Sequence, residues 1–483
     1  MNLTINKEGT DMSDLVFSPN DINLPTALRD VKNVVSVTEG YRASRTFVGN
    51  GTDTLDGVPN ACHSLAMLDG SKRTFVSSNT GVYELIDGEY TQRWEDTATS
   101  HSLAALGDVS IMTNNVDNVC YALSASDFLE IADAPVAKIV VEASGFLLAF
   151  DYVSGSDDYS DGWWSSNLYD YTTWTPSVDT NNLSANGRLL QTPGAITAAV
   201  GWNDKVLVFK ENSMYIGTFT DIDSKWTWEV LRRDIGCVGM DAVTLTPYGI
   251  IWLDKNSVYM FDGNSVDNIG SIVQDYYRNS KSVDLTKSFA AFNDDIVYVG
   301  YPGKSSTTVD NILTLNMYTK KWGRIVPDTS LAAFCIYTPN PITIDGADVV
   351  YSSYDSADDA FDSLKLKSGE SVLSAIGVDG VWRMLTGSPS GGVIAFYILG
   401  DDDIVSLLTD VIPHYRTVPT TSYIKHEWSD RSYSSMSLGR EASLNYGRYN
   451  IYKRARWHTA TLYFTGEGII ENMTYVVSSK GTR

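Results

Sequence analysis

After Ala61 the chain settles into short apolar alternations broken by Gly, Asp and Asn. The stretch 63–94, HSLAMLDGSKRTFVSSNTGVYELIDGEYTQRW, reads as strand, turn, strand, turn, a strand carrying Tyr83, an Asp-Gly turn at 87–88 and a last strand. Asp-Gly between period-2 apolar runs is a strong hairpin signal, because both turn residues tolerate positive φ. The same grammar returns in AALGDVSIMTNNVDNVCYAL, AITAAVGWNDKVLVFKENSMYIGTF, DAVTLTPYGIIWLDKNSVYMFDG and SFAAFNDDIVYVGYPG. Each unit is an apolar strand, a polar turn, a β-branched strand, another turn, and a strand with Tyr near its centre.

The tyrosine marks Tyr83, Tyr121, Tyr215, Tyr259, Tyr298, Tyr351 and Tyr397 recur at roughly 40–45 residues, the period of propeller blades. One interval, Tyr121 to Tyr215, is about double, and Trp164 sits near its middle. The expected fold is therefore all-β: a β-propeller of six to eight four-stranded blades. The alternative pattern is a stack of unrelated hairpins or a long sandwich. No blade carries the Gly-His…Trp-Asp pattern of WD repeats.

The two ends look different. Residues 1–60 are rich in Asp, Asn, Pro and Gly and predict an extended N-terminal arm, with at most a short helix around Thr26–Val31. The propeller is expected over 61–412 and a C-terminal β segment, docking or closing it, over 413–483. Residues 411–460 hold eight Arg or Lys against Glu427, Asp430 and Glu441. Within them EASLNYGRYNIYKRARWHTATLYF reads as two strands, either a charged edge hairpin or a docking surface for an acidic partner. Arg448, Lys453, Arg454 and Arg456 are the candidate docking residues.

Composition narrows the function. The 483 residues carry a net charge of −23, which argues against a surface that grips nucleic acid throughout. It suits solubility, and a surface along which DNA passes without sticking. With 28 Tyr, 12 Trp and 37 Gly, the chain favours strands and tight turns over helices. No apolar run approaches the ~20 residues of a membrane span, so no membrane insertion is expected. The start lacks the charged and apolar regions of a secretory signal. The four cysteines form no C-x-x-C pair and are expected as buried thiols.

Chemistry-bearing motifs are sparse. There is no nucleophile elbow, P-loop, H-E-x-x-H or dinucleotide-binding glycine fingerprint. His63, His101, His414, His426 and His458 lack metal-ligand spacing. The acidic runs DYVSGSDDYSDGWW and DSADDAFD lack the regular oxygen spacing of a calcium loop. Paired carboxylates across a cleft need only two acids, and the chain has 59, so glycoside chemistry stays open. The densest aromatic stretch is GWWSSNLYDYTTW, 162–174, which reads as a sugar-stacking platform or as a core segment. No cofactor is expected.

WWSSNLYDYTTW, with Trp164-Ser165, Asp170 and Trp174, resembles an element of propeller-type tail hub or nozzle proteins of short-tailed bacteriophages. As in those proteins, it is followed by AITAAVGWNDKVLVFKENSMYIGTF and RRDIGCVGMDAVTLTPYGIIWLDKNSVYMFDG. NDINLPTALRDVKNVVSVTEGYRAS is similar to the arm before their first blade. The likeness covers most of residues 15–330. It implies a non-enzymatic virion protein of the phage tail, made in the host cytoplasm, with six copies in a ring below the portal and adaptor. That ring would extend the DNA channel and help retain or release the genome. The implied partners are other copies of the chain, the adaptor and portal, tail fibre, tailspike or needle proteins, and genomic DNA passing without sequence-specific binding. The competing reading is a carbohydrate-binding or carbohydrate-cleaving propeller acting on host surface glycans.

Overall fold

The computed structural model describes residues 16–18, 27–49, 53–338, 371–431 and 436–482, apart from positions 69, 87, 125, 178, 180 and 222. Seven antiparallel four-stranded blades follow one another, at 59–95, 102–130, 136–188, 196–232, 243–268, 289–325 and 331–384. In blades one to six the strands are added in chain order from the axis outward. The innermost strands touch in sequence around the ring, and the last, Leu331–Tyr337, touches the first, Pro59–Ala66. The protein is a closed seven-bladed β-propeller.

Blade seven is completed from elsewhere in the chain. Its outermost strand is Val48–Gly49, paired antiparallel with Trp382–Met384. The N-terminal segment thus closes the ring, since a single blade cannot bury both faces of its sheet.

Apolar clusters fill the gaps between blades. Leu65, Phe75, Leu103, Met112 and Phe128 join blades one and two, and Ile111, Ala137, Leu147 and Trp174 join two and three. Phe146, Phe150, Tyr215 and Trp226 join three and four. Gly201 marks how close the innermost strands come. A Cβ there would run into the Glu142 carbonyl oxygen of the neighbouring blade.

The tyrosine marks are partly in phase. Tyr83, Tyr121, Tyr215 and Tyr259 lie on third strands, as does Trp164. Tyr298 lies on the second strand of blade six. Tyr351 and the acidic run 355–362 lie outside the described residues. Tyr397 belongs to no blade.

The remaining described strands form a β-sandwich that combines segments from the N-terminal and C-terminal parts of the chain. One sheet has the order Val16–Phe17, Ala27–Lys32, Gly392–Phe396, Trp457–Thr465, Thr421–Ser429, Ser437–Ser443. The other has the order Tyr449–Ala455, Ile404–Thr417, Ile469–Thr482, Gly40–Ala43, Val34–Val37. Leu28, Val31, Ile424, Leu462 and Phe464 meet Leu408, Val411, Tyr449, Ile451 and Ile470 in the interior. Each such side chain contributes about 1.5–3 kcal/mol on burial.

These pairings correct three expectations. The N-terminal segment is part of the sandwich and of blade seven, and Ala27–Lys32 is a strand with inward Leu28 and Val31, not a helix. Thr26 and residues 1–15 lie outside the described residues. The propeller ends near 384 and not at 412, because Gly392–Phe396 and Ile404–Thr417 pair within the sandwich. Pro413, the expected boundary, sits inside the strand Ile404–Thr417, opposite Met473.

The sandwich is joined to the propeller at blade six. Val34 pairs with Arg324 on that blade's outermost strand, Lys321–Ile325. The Arg324 guanidinium lies over the Tyr276 ring, bonds its hydroxyl, and sits 3.4 Å from Asp30. Tyr276 belongs to the short helix Gln274–Ser280 and meets Phe17 edge-on at 5.5 Å.

Candidate functional site: an internal fingerprint and an exposed basic edge

The aromatic stretch is built into blade three. Trp163 and Trp164 are neighbours on the strand Asp157–Ser165, so they point to opposite faces of the sheet. Trp163 packs toward blade four, 5.4 Å from Trp228. Trp164 packs on the other face, edge-on to Tyr152 at 5.2 Å. Its indole Nε1–H donates to the Trp174 carbonyl at 2.6 Å. Trp174 is fully buried, and its own Nε1–H donates to the Tyr171 carbonyl at 2.8 Å.

Of the polar members, Ser165 ties the strand end to the fourth strand, Ala185–Arg188, and Asp170 fixes the loop between these rings. The Ser165 hydroxyl donates to the Ala185 carbonyl at 3.3 Å and accepts its N–H at 3.2 Å. Asp170 accepts the Thr172 N–H at 2.9 Å and the Thr172 hydroxyl at 2.7 Å. Burial would push the Asp170 carboxyl up, but the hydrogen bonds from Thr172 and Thr173 outweigh it and hold it below the usual range. Trp164, Ser165, Asp170 and Trp174 are thus brought together as one loop anchor. No platform of exposed rings forms here. Of the five aromatic residues in this stretch, Tyr169 alone is largely exposed.

The basic residues lie at the outer edge of the sandwich. Ser437–Ser443 ends one sheet and Tyr449–Ala455 ends the other, each with a strand neighbour on one side only among the described residues. Asn445 and Arg448 exchange backbone hydrogen bonds at 2.8 and 3.1 Å. Tyr446 and Gly447 between them have φ of 47° and 76°, the double positive φ of a tight hairpin turn. The segment expected as two strands is therefore three, Ser437–Ser443, Tyr449–Ala455 and Trp457–Thr465, and it crosses between the sheets.

The four docking candidates divide. Arg448 and Arg454 are exposed, on the turn and on the edge strand. Lys453 and Arg456 are half-buried. The Lys453 ammonium sits 3.3 Å from the centre of the Trp428 ring, a cation–π contact that commits it to the sandwich. Arg440 of the same basic run is exposed on this edge, together with Leu438, Tyr446 and Tyr452, which the sequence does not single out. The alternation of Ile451, Tyr452 and Lys453 was the available signal for an edge strand, but edge position is set by pairing with distant residues.

On the propeller axis the innermost strands border an open cavity of about 320 Å³, lined by Cys62, His63, Asp241, Phe334 and Cys335 among others. His63 Nε2 lies 3.8 Å from Asp241 Oδ1. Burial pushes the Asp241 carboxyl up, against the opposing pull of His63 and Lys287. Within the sandwich, buried His426 and His458 are hydrogen-bonded through Nε2 and Nδ1 at 3.1 Å. Among the described residues no group of three or more His, Cys, Asp or Glu is placed to hold a metal.

No family model matches the chain, and no curated protein matches it. Several solved structures are similar. The computationally designed Ika8 protein is 10% identical, with a TM-score of 0.39 over 73% of this chain and 94% of that one. The β-propeller domain of Cps50 (Swd1) from Myceliophteria thermophila is 10% identical, with a TM-score of 0.41 over 70% and 100%. BBS1N, solved in complex with ARL6DN, is 9% identical, with a TM-score of 0.42 over 71% and 98%. At these low TM-scores none of them bears on function, and the blade count rests on the strand pairing given above.

Proposed function

We propose that the chain is a non-enzymatic structural subunit of a short-tailed phage tail, a hub or nozzle protein. Six copies form a ring below the portal and adaptor, and the ring extends the path of the DNA. The sequence elements around Trp164, Asp170 and Trp174 support this reading. The observation that carries it is the sandwich edge. A closed propeller has few free strand edges, so subunits meet through appended pieces. Here the appended piece gathers N-terminal and C-terminal segments and presents two adjacent edge strands.

Charge fits such a contact. Residues 437–456 hold Arg440, Arg448, Lys453, Arg454 and Arg456 against Glu441, on a chain of net charge −23. A basic edge on one subunit meets an acidic flank on the next, a head-to-tail contact that closes into a ring when the rotation allows. The exposed Tyr446 and Tyr452 supply the rigid aromatic area common at interface centres. The axial cavity of a single propeller, about 320 Å³, is far too small for a duplex. DNA therefore runs through the space enclosed by the ring of subunits. The acidic remainder of the surface keeps phosphate from dwelling there.

A cryo-EM reconstruction of assembled particles tests the proposal. The expected result is a multi-copy ring on the tail axis with the 437–456 edge at the subunit contact. A single copy, or a peripheral position away from the axis, would overturn it.

A further inference from the structure

The ring is closed at one seam, between blades one and seven, and that seam holds two thiols. Cys62 stands on the innermost strand of blade one, and Cys335 on the innermost strand of blade seven, which lies alongside it. Both are buried at 5% and 8% exposure, both belong to one apolar cluster with Val76 and Phe334, and both line the axial cavity. The Cys335 thiol is close enough to interact with that of Cys62. The other two cysteines are placed elsewhere. Cys120 Sγ donates to the Asn118 carbonyl at 3.1 Å, and Cys237 Sγ to the Gly239 carbonyl at 3.2 Å.

The hydrogen-bonded clasp at this seam is short. The closing strand is Val48–Gly49, both residues exposed; among the described residues it pairs with Met384 and Arg383, and single backbone hydrogen bonds flank it, from Gly387 to Thr46 at 3.0 Å and from Leu55 to Gly380 at 2.9 Å. A covalent link between the innermost strands would add a second closure to the short one at the outer edge of blade seven.

We propose that Cys62 and Cys335 form a peroxide-sensitive thiol pair whose disulfide locks the propeller seam. The cavity gives a molecule as small as hydrogen peroxide a route to both sulfurs. One thiolate attacks a peroxide oxygen. The O–O bond breaks, a sulfenic acid forms, and the other oxygen leaves as water. The second thiol then attacks the sulfenic sulfur, the S–S bond forms, and a second water leaves. Two S–H bonds and one O–O bond are lost, and two electrons pass from the thiols to the peroxide. The thiolate is the reacting form. Burial, with Cys335 and Asp241 nearby, holds the Cys62 thiol well above its usual range. The reaction is therefore slow at neutral pH and speeds up as the pH is raised.

The test uses the full chain, treated with hydrogen peroxide at pH 7 and pH 8.5, then unfolded, alkylated and mapped by mass spectrometry without reduction. The expected product is an intramolecular Cys62–Cys335 peptide pair, formed faster at pH 8.5, lost on reduction, with Cys120 and Cys237 recovered as alkylated thiols. Closing so long a loop should raise the unfolding midpoint by about 5 °C over the reduced protein. Cys335→Ser should show neither the peptide pair nor the rise. If that variant does not fold, the peptide map of the parent decides alone. Recovery of Cys62 and Cys335 as alkylated thiols or as sulfinic acids would overturn the proposal. So would a cross-link that forms only between chains or only in urea.

Discussion

The indole of Trp164 donates its hydrogen bond to the backbone carbonyl of Trp174, at 2.6 Å. One half-buried ring thereby fixes the loop that delivers a fully buried one into the gap between blades two and three. Trp174→Ala should cost about 3–5 kcal/mol, the usual range for emptying a buried aromatic site. Trp164→Ala should cost less, because that ring is only half-buried. Chemical denaturation of both variants checks the order. Equal losses, or a larger loss for Trp164→Ala, would contradict it.

Glu84 in blade one is enclosed by two guanidiniums. Arg73 bonds it through Nε at 2.7 Å and Nη2 at 3.0 Å, and Arg93 through Nε at 2.8 Å. Burial would raise the Glu84 carboxyl, but the hydrogen bonds and charges of Arg73 and Arg93 outweigh it and hold it below its usual range. A depressed carboxylate stabilises the fold above its unfolded value, and that stability is lost as pH falls through the folded value. Glu84→Gln takes the shared partner from buried Arg73 and from half-buried Arg93, which keeps Asp127 at 3.6 Å, and should cost about 3 kcal/mol at pH 7. The parent and the variant should converge as the pH is lowered below about 4.5. Denaturation midpoints measured from pH 7 to pH 3 provide the check.

The His426–His458 pair also loses stability in acid, but because the fold holds its neutral form. Burial, then the nearby His458 and Lys453, push the His426 ring down to about 3. Burial also lowers His458. A histidine held neutral in the fold contributes no acid penalty above its unfolded value near 6.5, and the fold loses stability as pH falls from there toward the folded value. The His426 ring protons should therefore show no titration by NMR between pH 8 and pH 5. A midpoint near 6 would mean that the pair is open to water.

The exposed members of the basic edge should separate folding from assembly. Arg448→Glu with Arg454→Glu changes two solvent-facing side chains and should leave the unfolding free energy of the isolated chain within about 0.5 kcal/mol. Incorporation into tail particles should fall sharply, read by quantifying the chain in purified particles. Unchanged incorporation would remove the edge from the assembly contact. Lys453→Ala differs, since it takes a cation from the Trp428 ring and should lower stability by about 0.5–1 kcal/mol.

The blades were legible in the sequence because each is a local object. Its strands are successive, its turns carry Asp-Gly or Asn-Asp as at 262–263, 203–204 and 293–294, and its apolar positions alternate with the pleat. Spacing alone marks Trp164 as the equivalent of the blade tyrosines, and it lies on a third strand. The mark failed at Tyr298, because packing between blades asks for a large side chain in the gap, not for tyrosine on a given strand. The sandwich was not legible for a different reason. Its strands come from Ala27–Lys32 at one end of the chain and Trp457–Thr465 at the other, and both flank Gly392–Phe396. Such pairing is paid for by long-range burial that no local window displays. The charge shift near Pro413 marked where the surface changes, not where the sheet begins. Sequence determined which residues alternate and where the chain turns. Tertiary structure alone decided that Val48–Gly49 closes the ring, that Lys453 rests on Trp428 while Arg454 faces solvent, and that Cys62 meets Cys335 across the seam, because each depends on which distant strand lies alongside.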